Sequence, residues 1–424
     1  MMFSASEPRL RGVGATPAAA LLAALAVAGC GGRSLPPDAS AEARAAFEEC
    51  HSLSHDERQA CYERHLLDEL DRAGVAAALE MLETVAVGDL SVEAQGHVYT
   101  HAIGIQAYSP ATPFEDVFSE CTVAFQSGCY HGVVQAHFIA SGAADAEGVV
   151  GLCGPYEEEP VDRWILFQCL HGLGHGLTMF YGHHLPKALE GCDFLTNEWN
   201  RRSCYGGAFM ENVVNATDPH HPASDLLAAD GHAADGAHDH AAMPMAEGLE
   251  ELEPWDALRA DDPHYPCSVL DERYLDSCYM MQTSAMLWHN GGDVAGAADS
   301  CLDTPERWRH LCFASLGRDI SGRTVLDPDM GLRECRKSDE AYREWCYVGL
   351  VKNYIDVTAT TGEAFAFCRR VEPFAQTRCY EAIGEQLLGL HGGDPERREE
   401  CVVAREESEE LEQACLRGAR IPID

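Results

Sequence analysis

Eight stretches of the chain share one hydrophobic pattern: "CYERHLLDEL", "CYHGVVQAHF", "CLHGLGHGL", "CYGGAFMEN", "CYMMQTSAML", "CFASLGRDI", "CYVGLVKNY" and "CYEAIGEQLLGL". In each, an aromatic residue or leucine follows a cysteine, and small and apolar residues then recur at helical spacing. Their cysteines, with Cys415, stand at 61, 129, 169, 204, 278, 312, 346, 379 and 415, in steps of 68, 40, 35, 74, 34, 34, 33 and 36. The period is near 34, and the step of 68 is two periods.

Each unit predicts two helices. In "GEAFAFCRRVEPFAQTRCYEAIGEQLLGLHGG" one helix ends near Cys368, and Pro373 opens a second that runs to the stop at Gly392 and Gly393. The expected fold is all-α: an α-solenoid of about ten antiparallel helix-pair repeats, one of them without cysteines near residues 72–105. In architecture it resembles the TPR and Sel1-like class of helical repeats. The motif residues of TPR units are not present, so the resemblance carries no function across. The step of 74 holds an extra segment, residues 215–254, rich in Ala, Asp, His and Gly and without a periodic apolar face; it reads as a disordered insertion. The repeats then divide into 43–214 and 255–424.

The N-terminus sets the compartment. Arg9 and Arg11 precede the apolar run 18–28, too short for a stable membrane span and built like a signal-peptide core. It ends in "VAGC", which resembles a bacterial lipobox. The resemblance implies a signal peptide over 1–29, lipidation of Cys30, and a tether over 30–42. It places a soluble body at the cell envelope, held to the membrane only by its lipid. Gly31 stands where aspartate would signal inner-membrane retention, so the outer membrane is favoured. Charge agrees with an exported, solvated body. The 30 basic and 69 acidic residues give net −39, which repels nucleic acid and attracts cations and basic partners. A hydrophobic content of 46% is enough for an ordinary core and excludes a disordered acidic chain.

Nineteen cysteines in an exported chain argue for disulfides. Beside Cys30 they form nine pairs: Cys50 with Cys61, Cys121 with Cys129, Cys153 with Cys169, Cys192 with Cys204, Cys267 with Cys278, Cys301 with Cys312, Cys335 with Cys346, Cys368 with Cys379, and Cys401 with Cys415. Five of these are separated by 11. Each would staple one repeat, and a loop of about 11 residues restricts the unfolded chain by roughly 2.5–3 kcal/mol.

At two positions of the repeat, histidine is confined to one end of the scaffold. Counting 34 back from Cys129 reaches Gln95 and aligns "QGHVYTHAIG" with the repeats. His97, His131 and His171 then share one position, and His101 and His175 share another, with Gln135 between them in the middle repeat. The fourth repeat has Gly206 and Met210 there, then Glu211 and Asn212; later repeats have no histidine at either position. Histidines four apart lie on one helix face and can share a metal ion. With the cysteines oxidised, imidazole and carboxylate remain, which points to Zn²⁺, Cu²⁺, Ni²⁺ or Fe rather than a thiolate site, and the expected cofactor is a divalent transition metal, Zn²⁺ or Cu²⁺. Helices packed 8–10 Å apart let His131 share an ion with His97 and His101, or with His171 and His175. Glu211 and His137 are outer members of the set, and His183 and His184 sit in a following loop. In the insertion, His220, His221, His232, His238, His240, Met243 and Met245 form a second, looser ligand set. The plain alternative is packing: inherited repeat histidines bonded to carbonyls, with Gly172, Gly174, Gly206 and Gly207 permitting close helix contact.

Catalytic motifs are absent from the sequence: no HExxH, G-x-S-x-G or CxxCH. "CYGG" and "CLHG" are similar to zinc-binding motifs of lanthionine cyclases, but those cysteines are single zinc ligands, whereas these have repeat partners. Three readings stand: a metal-binding envelope lipoprotein, an interaction scaffold presenting its concave face to another envelope protein, and a metal-dependent enzyme with Glu211 as base.

Overall fold

The structure, a computed structural model, describes residues 34–141, 144–157, 163–217, 253–324 and 327–422. Among them there is no strand; the fold is all-α. Cys30 and the insertion ligands His220, His221, His232, His238, His240, Met243 and Met245 lie outside the described residues. The helix entering the insertion runs from Glu198 to Thr217, three residues past the boundary that the polar composition predicts. No helix of the described residues is long and apolar enough to cross a membrane.

The two-helix unit is plain in the C-terminal half. A short helix precedes a long one in Val294–Leu302 and Glu306–Arg323, Pro328–Cys335 and Arg343–Thr358, and Gly362–Cys368 and Pro373–Leu390. Two of these short helices start on side-chain caps: Asp293 accepts from the Ala295 amide and Asp327 from the Met330 amide, satisfying donors the helix leaves open.

The nine expected cysteine pairs are all bonded. Cys50 joins Cys61, Cys121 joins Cys129, Cys153 joins Cys169, Cys192 joins Cys204, and Cys267 joins Cys278. Further along, Cys301 joins Cys312, Cys335 joins Cys346, Cys368 joins Cys379, and Cys401 joins Cys415. Every bridge is local, with Cα–Cα distances of 5.5–5.8 Å. Cys301, Cys335 and Cys368 sit at the ends of short helices, and their partners Cys312, Cys346 and Cys379 stand in the early turns of the long ones. Their sulfurs lie in the core; all eighteen cysteines are buried.

Long helices pack side by side in chain order, and glycine sets how closely. A Cβ on Gly132 would stand 2.2 Å from the His101 carbonyl oxygen; on Gly207, 1.9 Å from that of His171; on Gly349, 1.8 Å from that of Ala314; on Gly418, 2.0 Å from that of Glu381. The contacts are reciprocal. Gly104, Gly174, Gly317 and Gly384 in turn meet the carbonyls of Cys129, Cys204, Cys346 and Cys415. Gly128 meets His97 and Gly132 meets His101, so these neighbouring helices run parallel.

This contact corrects one alignment. In each pair the glycine three residues after a cysteine faces the carbonyl two residues after the preceding one. By that register Tyr99, not Gln95, occupies the cysteine position of the cysteine-free unit. His101, His131 and His171 are therefore equivalent, with His97 one turn before them and His175 one turn after. The step from Tyr99 to Cys129 is 30 because the intervening unit is compressed. Its first helix, Phe114–Phe118, has 5 residues and its cysteines are 8 apart rather than 11.

Contacts also join helices distant in sequence. Ala124–Ser141 touches Arg343–Thr358, and Arg163–Phe180 touches Pro373–Leu390. The two halves thus face each other across a shared interior. Buried apolar residues form one core from Ala43 to Met281 and another from Met286 to Ile421.

The glycine contact makes a stability prediction. Gly349→Ala places a methyl against backbone that cannot yield, and loses about 1–3 kcal/mol. Gly322→Ala, with nothing within 4 Å of the new Cβ, loses nothing and gains up to about 1 kcal/mol of helix propensity. Denaturant unfolding of the two variants measures the contrast.

Candidate metal centre

Three adjacent helices bring five imidazoles together. Helix Gly96–Ala107 carries His97 and His101, helix Ala124–Ser141 carries His131, and helix Arg163–Phe180 carries His171 and His175. The glycine contacts put His101, His131 and His171 at one level. Ring centroids are 4.7 Å apart for His97–His101, 5.5 Å for His97–His131 and 5.4 Å for His101–His131. On the other side they are 5.3 Å for His131–His171, 4.6 Å for His131–His175 and 5.1 Å for His171–His175. Ring nitrogens within 4.8 Å of one another define two triads, His97–His101–His131 and His131–His171–His175. A tetrahedral ion held at about 2.0–2.1 Å by three imidazole nitrogens sets their ring centroids about 5 Å apart. Both triads have that spacing. Cys50, Cys61 and His65 also cluster, but their sulfurs form a disulfide.

Hydrogen bonds orient the ends of the cluster. His97 Nδ1 is 2.9 Å from the Phe125 carbonyl oxygen. A carbonyl can only accept, so Nδ1 carries the proton and Nε2 presents its lone pair. His175 Nδ1 is 2.9 Å from Glu211 Oε2, with the pair 1% and 3% exposed. A carboxylate behind a ligating imidazole fixes its tautomer and raises its basicity. Glu211 belongs to neither triad; it supports His175, and its other oxygen lies 3.9 Å from His183 Nδ1. His175 Nε2 and both nitrogens of His131 are buried without a hydrogen-bond partner. Gln135, one turn after His131 and fully buried, also leaves both amide atoms unpartnered. Such atoms cost about 1–3 kcal/mol each when nothing binds them, and an ion supplies what the imidazoles need.

Burial keeps His131 and His171 neutral. Desolvation pushes the basicity of His131 well below that of a free imidazole, and the nearby rings of His175, His171, His101 and His97 add to it. The same holds for His171, by burial first and then by His175. Burial also lowers His183, against the pull of Glu211. A metal ion would therefore meet unprotonated nitrogens on His131 and His171 at neutral pH.

The cluster opens inward. His131 and His171 form part of the wall of a cavity of about 350 Å³, with Phe167, Met280, Arg318 and Asp356. The last two come from helices of the other half, so both halves of the chain build it. Burial pushes the Asp356 carboxyl up to about 7, with Lys352 and the Gln386 hydrogen bond opposing. His97 lines a neighbouring space of about 400 Å³, also walled by Arg318. Gln126 and Ser127 stand at the cavity rim and, with Phe125, adopt left-handed backbone at φ 47° for Phe125, 61° for Gln126 and 64° for Ser127. For residues with side chains this costs about 1–2 kcal/mol each. It aims the Phe125 carbonyl that holds His97.

His97, His101, His131, His171 and His175 thus come together, with Glu211 behind them. His137 does not join; its Nδ1 meets the Tyr108 hydroxyl at 3.1 Å. His184 caps the helix that follows it. Arg318, Asp356 and the left-handed turn have no local sequence signal; Arg318 and Asp356 line the histidine cavity only because helices distant in the chain come together. No known family, curated protein or solved structure matches the chain.

A pH effect follows for the metal-free protein. His131 and His171 have folded pKa values below the 6.5 of the unfolded chain. Below that pH the unfolded state binds protons the folded state refuses, so stability falls as pH falls. Asp356 acts in the opposite sense, being more protonated when folded. The melting temperature is expected to drop between about pH 7.5 and pH 5.5. The double substitution His131→Gln, His171→Gln flattens that slope, as a differential scanning fluorimetry series would read.

Proposed function

We propose that the protein is an envelope-anchored, metal-binding helical-repeat lipoprotein that holds Zn²⁺ or Cu²⁺ through histidines on successive repeats. The observation that carries this reading is the buried His131–His171–His175 triad, backed by the Glu211 carboxylate on His175. Imidazole-only ligation suits Zn²⁺ and Cu²⁺, and the eighteen paired cysteines leave no thiolate near the site. The long helices form a curved stack of helix pairs, an α-solenoid whose halves meet around the cavity. The anchor rests on the "VAGC" motif and Cys30, and the acidic chain draws cations toward the site.

A metal-dependent enzyme is the second reading, favoured by the cavity beside His131 and His171. In that case Asp356, facing the cavity with a pKa near neutrality, suits proton transfer better than Glu211, which is buried against His175.

The test uses protein stripped with chelator, loaded with Zn²⁺ or Cu²⁺ and desalted, with His220, His221, His232, His238 and His240 changed to Gln. At least one ion per chain is expected to remain. His131→Ala and His175→Ala are expected to lose it, with at least a tenfold weaker affinity and a smaller thermal stabilisation by metal (about 1.4 kcal/mol per tenfold). A chain that keeps no ion leaves the interaction scaffold as its reading.

A further inference from the structure

We propose that His131 bridges two metal ions, one shared with His97 and His101 and the other with His171 and His175. This rests on the metal-binding reading and specifies its stoichiometry and bonding. Five imidazoles exceed what one tetrahedral ion accepts, since it has four positions. His131 is the member common to both triads. Its ring is 2% exposed, and neither of its nitrogens has a hydrogen-bond partner. Each imidazole nitrogen has one in-plane bonding position, held by a proton or a lone pair, so one nitrogen serves one ion. A single ion on His131 leaves the other nitrogen buried and unsatisfied, whereas two ions use both.

The outer ligands already face this arrangement. His97 is held through Nδ1 by the Phe125 carbonyl and His175 through Nδ1 by Glu211, so each coordinates through Nε2. Both triads have the ring separations of tetrahedral ligands. The two ions differ in surroundings. One sits between wholly buried rings with a carboxylate behind them, and the other includes His97, which faces a solvent-connected space.

Bond and proton changes balance without redox chemistry. The first ion forms a bond to one nitrogen of neutral His131, whose other nitrogen keeps its proton. The second ion forms a bond at that nitrogen, the N–H bond breaks, and the proton passes to the buffer. His131 is then an imidazolate, and its negative charge lowers the repulsion between the two cations.

The experiment uses the full chain with the five insertion histidines changed to Gln, loaded with Cu²⁺ as the probe. Copper is counted by atomic absorption, and unpaired spins are integrated by electron paramagnetic resonance. An imidazolate couples two Cu²⁺ ions antiferromagnetically. The expected result is two coppers per chain with most of the low-temperature spin signal missing. Acidification that protonates the bridge returns the signal. His131→Ala is expected to hold at most one copper, with its signal complete; circular dichroism checks that it folds. If it does not, the spin count of the unsubstituted site decides alone. Two coppers with a full spin count, or one copper per chain, overturns the bridge and leaves metal binding standing. No retained copper overturns both.

Discussion

The backbone-to-backbone contact between long helices is the constraint on which the rest depends. Where Gly132 faces the carbonyl of His101, no side chain separates the helices, and Gly172 seats the next helix against the His131 Cα. Helices at ordinary packing distance keep equivalent residues of neighbouring units well apart. With the spacing reduced, equivalent imidazoles come within ring contact across the interface. The same contact fixes register, because a slip of one residue drives a Cβ into a carbonyl. A repeat that only needed stability could use alanine and a wider gap.

The chain is strongly acidic on the whole, yet it encloses a cluster of imidazoles in an apolar shell. Leu170, Leu173, Val133 and Val134 flank the histidines on the same helices and are buried. Those neighbours raise the cost of protonating the rings and preserve their lone pairs. Glu211 is a carboxylate hydrogen-bonded to the cluster, and it sits behind a ring rather than among the converging nitrogens. Under the metal-binding proposal, the acidic surface would raise the local concentration of cations and the interior would select by ligand type.

Much of this is legible in the sequence. The cysteine spacing and the apolar pattern predict local bridges and paired helices. The structure bonds Cys153 to Cys169, Cys267 to Cys278, and the other seven pairs in the predicted order. Both features are local, set within about a dozen residues. Counting residues misplaces the register of the cysteine-free unit by one helical turn, because a period takes no account of a shortened helix. Phe114–Phe118 absorbs the difference. Membership of His97, His101, His131, His171 and His175 in one cluster is visible as a pattern, but its centre on His131 is not. Asp356 and Arg318 reach the cavity only because helices distant in the chain pack against each other, which no single repeat encodes.

The disulfides span 8 to 16 residues, and all lie within single units. None ties the half that carries the histidines to the half that supplies Arg318 and Asp356. The cavity between them is closed by side-chain packing and polar contacts alone. Oxidation therefore hardens each cysteine-bearing unit individually and leaves the seam between the two halves to weaker, reversible contacts, so the walls of the cavity are firmer than the join between them.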